Sequence, residues 1–174
     1  MLLVNHSASS GLKNSEVAIL TRGTKNWDQK GVIYYELLKP SETVDTERYR
    51  QQMIDWNQAS RETTRISKRQ HKVIFLRDNA PSHTAKPVKE TIEALSREIL
   101  SHAAYSPDLA PSDYYLFASM GRALSDQHFA SYENVRKWLD DWFASEERQF
   151  FWRGIHQLPD RWEKCIASDG QYFE

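Results

Sequence analysis

A short apolar run that ends on an acidic residue most constrains how this chain can fold. Within VIFLRDNAPSHT, four apolar residues, Val73–Leu76, run into Arg77 and Asp78, and a Pro-Ser-His turn follows. A short apolar run bounded by turn residues is typical of a buried strand. In α/β folds, binding and catalytic residues collect at the carboxyl ends of such strands. The run therefore predicts an α/β domain with a site at Asp78.

The other periodic segments predict a mixed sheet with helices packed on it. Candidate strands are Val17–Leu20, Val32–Leu38, Val73–Arg77 and Glu98–Leu100. Helix starts are predicted at the capping positions Asp45 or Thr46, Ser82 or Thr84, Asp113, and Ser131. This order of strand, helix, strand, helix, strand and then helices indicates a small mixed sheet covered by helices.

Composition excludes several classes of protein. The 174 residues are 40% hydrophobic and 12% aromatic, which is the composition of a globular domain and not of a disordered chain. A single cysteine excludes an internal disulfide. No apolar run approaches the ~20 residues that cross a bilayer, so we expect a soluble protein that does not interact with membranes.

The charge is balanced overall but unevenly distributed. The formal net charge is −1, whereas a dedicated nucleic-acid binder is usually basic over its binding face. One stretch, RETTRISKRQHK, holds five basic residues and one Glu. These residues are either a solvated face or contacts for nucleic-acid phosphates, namely Arg61, Arg65, Lys68, Arg69 and Lys72.

Two aspartates can meet at one end of the predicted sheet. Asp78 ends a strand, Asp113 begins a helix, and thirty-four residues lie between them, enough for one helix and one strand. Two adjacent carboxylates stay ionised together only with cations between them, and oxygen ligands favour Mg²⁺ or Mn²⁺. The alternative is structural, because an aspartate after a strand often forms a turn or caps a helix, and Asp108 could do the same.

Other candidate sites have weaker support. A histidine in a turn, such as His83, is commonly exposed without a role, and Cys165 fits core packing within a helix. Four further histidines lack the spacing of a zinc site: His71, His102, His128 and His156.

Longer motifs add a family resemblance to this interpretation. They are GVIYYELL followed by TERYRQQM, DNAPSHTA, HAAYSPDLAPSDYYLFASM, and WRGIHQLPDRWEKCIASDGQYFE. Together they closely resemble the mariner family of DNA transposases over about residues 27–174. The resemblance implies a ribonuclease-H-like fold, cut-and-paste DNA transposition, a DNA partner, a homodimer and a nuclear location.

The resemblance also implies roles for individual residues. The family uses three aspartates that bind two divalent cations, Mg²⁺ or Mn²⁺, and Asp78 and Asp113 match the second and third of them. By the same motif Asp108 is not catalytic. Asn79 and His83 are then expected to support the metal ligands or to face DNA.

The chain departs from the family pattern at its start. The family's first aspartate lies on the first strand in a T-G-D-E run that is absent here, and the nearby acids, Glu16 and Asp28, lack the strand context. The N-terminal DNA-binding domains are also expected to be missing. We therefore expect an incomplete sheet without its first strand unless Val17–Leu20 replaces it. Residues 1–26 are interpreted as a non-family segment and residues 27–174 as a partial catalytic domain.

Three functional readings follow from these departures. The first is a remnant of a transposase catalytic domain that does not act autonomously, so whether it is an enzyme is left open. The second is a non-catalytic module derived from a transposon that binds nucleic acid or protein. The third is a decayed element without a selected function.

Overall fold

A five-stranded mixed sheet, with helices on both faces, organises the protein. The computed structural model describes residues 2–8, 23–39, 42–62, 74–78, 81–96, 98–102, 106–125 and 127–170. Its strands are β1 (Leu2–Ala8), β2 (Gly23–Asp28), β3 (Gly31–Tyr35), β4 (Ile74–Asp78) and β5 (Glu98–His102). The strand order is β3-β2-β1-β4-β5. The pairs β1–β2 and β2–β3 are antiparallel, whereas β1–β4 and β4–β5 are parallel.

Helices occupy most of the rest of the described chain. They are α1 (Thr46–Glu62), α2 (Pro81–Thr84), α3 (Lys86–Ala94), α4 (Ala118–Ala123), α5 (Tyr132–Ser145), α6 (Arg148–His156) and α7 (Leu158–Ala167). A π-helical segment, Ser112–Phe117, leads directly into α4, and a 3₁₀ turn, Pro107–Leu109, precedes it. Among the described residues, no helix is long and apolar enough to cross a membrane.

The first strand, which the sequence analysis expects to be missing, is present as β1. This strand lies at the centre of the sheet, where Leu2–Val4 pair with Ile74–Leu76 and Val4–Ala8 pair with β2. The prediction of an incomplete sheet is therefore wrong. The polar residues Asn5, His6 and Ser7 interrupt the apolar pattern by which a strand is predicted from sequence. The strand forms nevertheless, because strand formation depends more on pairing with neighbouring strands than on intrinsic preference. The proposed substitute, Val17–Leu20, lies outside the described residues.

Alternate residues of β4 face two separate cores. Phe75 is 1% exposed and packs with residues of α1 and α3, including Trp56 at 5.3 Å between ring centroids. Leu76 is fully buried on the other face, in the core formed with Leu116 and the C-terminal helices. Because side chains alternate along a strand, this burial confirms the predicted strand and its helices on both sides.

Two of the four predicted helix starts are confirmed by capping hydrogen bonds. The Asp45 carboxylate accepts a hydrogen bond from the Arg48 N–H at 2.8 Å, and Ser131 Oγ accepts one from the Asn134 N–H at 3.2 Å. The predicted cap at Ser82 or Thr84 is wrong, because α2 already includes both residues and Ala85 precedes α3 without a side-chain cap. A tight turn joins β2 to β3, with Gly31 in a positive-φ conformation.

Candidate metal and nucleic-acid site

Asp78 is the last residue of β4 and pairs with His102 at the end of β5. The strands β1, β4 and β5 are parallel, so their carboxyl ends share one edge of the sheet. Position 78 comes two residues after Leu76 and therefore falls on the same face of β4. This is the edge at which α/β folds bind ligands.

Asp113 belongs to the first turn of the π-helical segment, which is anchored on the same face of the sheet. Its N–H donates a hydrogen bond to the Ala110 carbonyl at 2.8 Å. The preceding Ser112 is fully buried, and its Oγ accepts a hydrogen bond from Trp27 Nε1 at 3.0 Å. Trp27 pairs with Val4, and Val4 pairs with Leu76. Trp27, which holds Ser112 and so the segment of Asp113, is thus in the same cross-strand row as Leu76. Leu76 precedes Asp78 by two residues on β4.

The C-terminal helices brace this segment from outside. The Tyr114 hydroxyl donates a hydrogen bond to the Gly154 carbonyl at 2.8 Å, and the Arg161 guanidinium lies 4.2 Å from the Tyr114 ring centroid. A Cβ atom on Gly154 would lie 2.6 Å from Tyr115 Cδ1 and 2.9 Å from the Trp27 ring. The glycine therefore lets α6 approach the segment that carries Asp113.

A buried lysine lies on the same face of the sheet. Lys25 is two residues before Trp27 on β2, is fully buried, and pairs with His6 on β1. Its ammonium lies 4.9 Å from the centroid of the Phe117 ring, in the same π-helical segment as Asp113. Burial lowers the pKa of Lys25 to about 7, because removal from water disfavours the charged amine.

The residues predicted to hold a metal carry two carboxylates, and the described strand β1 adds none. Asp78 and Asp113 remain the predicted ligands, and the sequence of β1, LLVNHSA, has no Asp or Glu. Asp28 serves the β2–β3 turn, with Oδ1 accepting from the Lys30 N–H at 2.7 Å, and Glu16 lies outside the described residues. The described part of the chain contains no group of three or more His, Cys, Asp or Glu residues that could hold a metal ion.

The structure locates His83 away from the surface. Its side chain is 2% exposed and stacks on the Tyr49 ring of α1, with 4.1 Å between ring centroids. Its carbonyl accepts a hydrogen bond from Arg77 Nη1. Of the two predicted roles, a DNA-facing His83 is contradicted by this burial, whereas support of the metal ligands stays a prediction. Asn79 lies outside the described residues.

Of the predicted basic contacts, the structure describes Arg61 alone. Arg61 is exposed in the last turn of α1. The other four lie outside the described residues: Arg65, Lys68, Arg69 and Lys72. Whether the five residues form one face stays a prediction.

The sequence analysis missed Lys25 and the Trp27–Ser112 anchor. One signal was available for Lys25, because Lys25 and Trp27 alternate on a strand, and a residue that shares a face with a core tryptophan is a candidate for burial. No local signal predicts the anchor, which joins residues 85 positions apart.

Comparison with known proteins identifies similar sequences and folds. Residues 26–73 match the family described as transposase with a partial DDE domain. The chain is 66% identical over 149 residues to the Mariner Mos1 transposase of Drosophila mauritiana, which covers 85% of this chain and 43% of that protein. It thus spans less than half the length of that relative.

Solved structures agree with the observed fold. The Mos1 transposase catalytic domain with raltegravir and Mn is 57% identical, with a TM-score of 0.87 over 99% of this chain and 84% of that one. The Mos1 mariner paired-end complex with Mn is 63% identical, with a TM-score of 0.82 over 87% of this chain and 44% of that one. The match confirms the predicted ribonuclease-H-like fold, and its coverage includes nearly the whole chain.

Proposed function

Because this chain belongs to the mariner family of DNA transposases, we propose that it is a catalytic-domain unit that binds DNA and one divalent cation but does not transpose autonomously. Asp78 and Asp113 are the proposed metal ligands. Two observations support the proposal: Asp78 ends β4, and Ser112, next to Asp113, is hydrogen-bonded to Trp27 in the cross-strand row that contains Leu76. The neighbouring strand β1 carries no Asp or Glu.

The identity of the cation follows from the donors and the relatives. Two carboxylates are hard oxygen ligands, which favour Mg²⁺ or Mn²⁺ over Zn²⁺. Mos1 transposase structures contain Mn, which is consistent with this choice. When bound, such a cation supplies neutralising charge and Lewis acidity toward a phosphodiester oxygen. Because β1 carries no carboxylate, we expect weak metal binding and no efficient strand cleavage.

Mn²⁺ is expected to raise the melting temperature of the unmodified chain and not that of Asp78→Asn. A ligand at ten times its Kd stabilises the native state by about 1.4 kcal/mol, or roughly 3–5 °C for a chain of this size. Asp108→Asn is the matched control, because Asp108 lies in the neighbouring 3₁₀ turn and is not one of the proposed metal ligands. Equal Mn²⁺ shifts in all three proteins would show that the metal binds elsewhere.

DNA binding is expected to depend on salt and not on the metal site. If Arg61 and the basic stretch after it contact phosphates, affinity should fall steeply between about 50 and 200 mM salt. Asp78→Asn should retain that binding, measured by fluorescence anisotropy with a labelled duplex. Salt-independent affinity would contradict a phosphate-dominated contact. Efficient cleavage of the duplex in Mg²⁺ would contradict the predicted effect of the missing carboxylate.

The partner and location complete the proposal. A paired-end complex is one of the forms in which the Mos1 relative was solved, so we propose that this chain pairs with a second copy on DNA. Action on DNA also implies a nuclear location. The second candidate, a non-catalytic binding module, is favoured by the absence of Asp and Glu from β1 and is distinguished by DNA binding without any metal response.

A further inference from the structure

A polar cavity of about 260 Å³ lies at the edge of the sheet formed by β3. Its walls come from Tyr35 at the end of β3, the segment that follows it, the first turn of α1 and the first two turns of α5. Three cationic side chains line it, Lys39, Arg48 and Arg136, together with the carboxylates of Glu36 and Glu42.

Both lining carboxylates are engaged by groups within the protein. Arg48 Nη2 lies 2.6 Å from Glu36 Oε1 and 3.2 Å from Glu42 Oε2. Glu42 Oε2 also accepts a hydrogen bond from the Lys39 N–H at 3.0 Å, and Glu36 Oε2 accepts one from Gln52 Nε2. Arg48 thus offsets one of the two negative charges, and with the ammonium of Lys39 and the guanidinium of Arg136 the lining side chains carry a net charge of +1, three cations against two carboxylates.

Two tyrosines contribute neutral hydroxyl groups. The Tyr132 hydroxyl donates a hydrogen bond to the Leu37 carbonyl at 2.9 Å, and the Tyr35 hydroxyl donates one to the Asp140 carboxylate. Burial and the nearby Asp140 raise the pKa of Tyr35 to about 12, so this side chain adds no negative charge at neutral pH. Asp140 is not among the lining residues, and the Arg136 guanidinium, which also acts on the Tyr35 hydroxyl, lowers the pKa of Tyr35 and so opposes the effect of Asp140.

We propose that this cavity binds a phosphate group through Lys39 and Arg136. Guanidinium groups bind phosphate oxygens through two parallel hydrogen bonds, and an ammonium adds a point charge from another direction. The two cations come from separate elements, the segment after β3 and α5, and face one cavity. The volume exceeds that of a lone phosphate and accommodates part of an attached sugar.

The position of the cavity favours a phosphate of the DNA backbone. Tyr35 pairs with Lys25 on β2, and Lys25 pairs with His6 on β1. His6 lies two residues after Val4, and Asp78 lies two residues after Leu76, the partner of Val4. Tyr35 is therefore level with Asp78 across the sheet. The cavity thus shares an edge of the sheet with Asp78, three strands away, or roughly 14 Å at ~4.8 Å per strand. That separation corresponds to about four nucleotides at ~3.4 Å each along a duplex. The assignment to DNA rests on the proposed function, but the phosphate site does not.

The test uses the double substitution Lys39→Gln with Arg136→Gln. Both residues are exposed, so the fold is expected to persist and is verified by the melting temperature. The control is Lys137→Gln, the next residue on α5, whose ammonium pairs with Asp141 at 2.6 Å outside the cavity. Duplex affinity is measured against salt concentration, and thermal stabilisation is measured with inorganic phosphate.

If the phosphate belongs to DNA, the double variant loses about one unit of the salt slope and about eightfold in affinity near 100 mM salt, whereas the control does not. If free phosphate is the ligand, phosphate stabilises the parent and control chains but not the double variant, and the DNA slope is unchanged. If the parent chain does not bind DNA, the proposed function is wrong. Thermal stabilisation by inorganic phosphate then tests whether the cavity binds phosphate. Equal behaviour of double variant and control in both measurements overturns the site.

Discussion

Replacing Gly154 with alanine is expected to lower the free energy of unfolding by about 1–3 kcal/mol, the usual cost of overpacking a core. The new methyl group would lie 2.6 Å from Tyr115 and 2.9 Å from Trp27, inside contact distance of two rings. Trp27 is fully buried and hydrogen-bonded to Ser112, so it has little room to move. Urea unfolding followed by tryptophan fluorescence measures the change.

Gly121→Ala is the matched control with the opposite expected sign. Gly121 lies in α4, and a Cβ atom there would meet nothing within 4 Å. Alanine at an open helical position is expected to stabilise by about 0.5–1 kcal/mol. If both substitutions stabilise the protein, α6 does not pack against the Asp113 segment as the structure has it. A reduced Mn²⁺ response in Gly154→Ala alone would connect this packing to the metal ligands.

Replacing Lys25 with methionine is expected to stabilise the protein at pH 7 by about 1–4 kcal/mol, the range found when buried ion pairs are replaced by apolar side chains. The pKa of Lys25 falls from 10.5 to about 7 on burial. Between these values the unfolded chain binds more protons than the folded one, so the stability of the parent chain rises with pH across that window. The advantage of Lys25→Met should therefore shrink as the pH approaches 10.5.

The measurement is denaturant unfolding of both proteins at pH 7, 8, 9 and 10. Lys137→Met serves as the control, because Lys137 is exposed and its substitution should change stability by less than about 0.5 kcal/mol at each pH. A destabilised Lys25→Met at pH 7 would mean that the buried ammonium is held by interactions stronger than its desolvation cost.

Local patterns predicted the elements whose residues interact with near neighbours. The apolar face of α1 is visible because Tyr49, Met53 and Trp56 recur at helical spacing, and all three are buried. The capping residues Asp45 and Ser131 act within their own first turns. By contrast, β1 was missed because LLVNHSA resembles a polar segment and is held by strands about 20 and 70 residues away.

The candidate site was predicted only in part for the same reason. Asp78 was predicted because it ends an apolar run, and Asp113 was predicted from the family motif. The bond between Trp27 and Ser112, which positions Asp113, has no counterpart in local sequence. The proposed phosphate cavity also had no local sequence signal. Lys39 and Arg136 are 97 positions apart and line one cavity only because the fold brings the segment after β3 close to α5.

The central position of β1 also bears on the order in which the chain folds. Leu2 pairs with Ile74, 72 residues away, whereas Ile74 pairs with Glu98, 24 residues away. The threefold longer loop costs about 1 kcal/mol more chain entropy to close. The segment from β4 to β5, with α2 and α3 between its strands, is therefore favoured as the earlier unit. In this order β1 docks late, and until it does, β4 presents an open backbone edge to which another chain can pair.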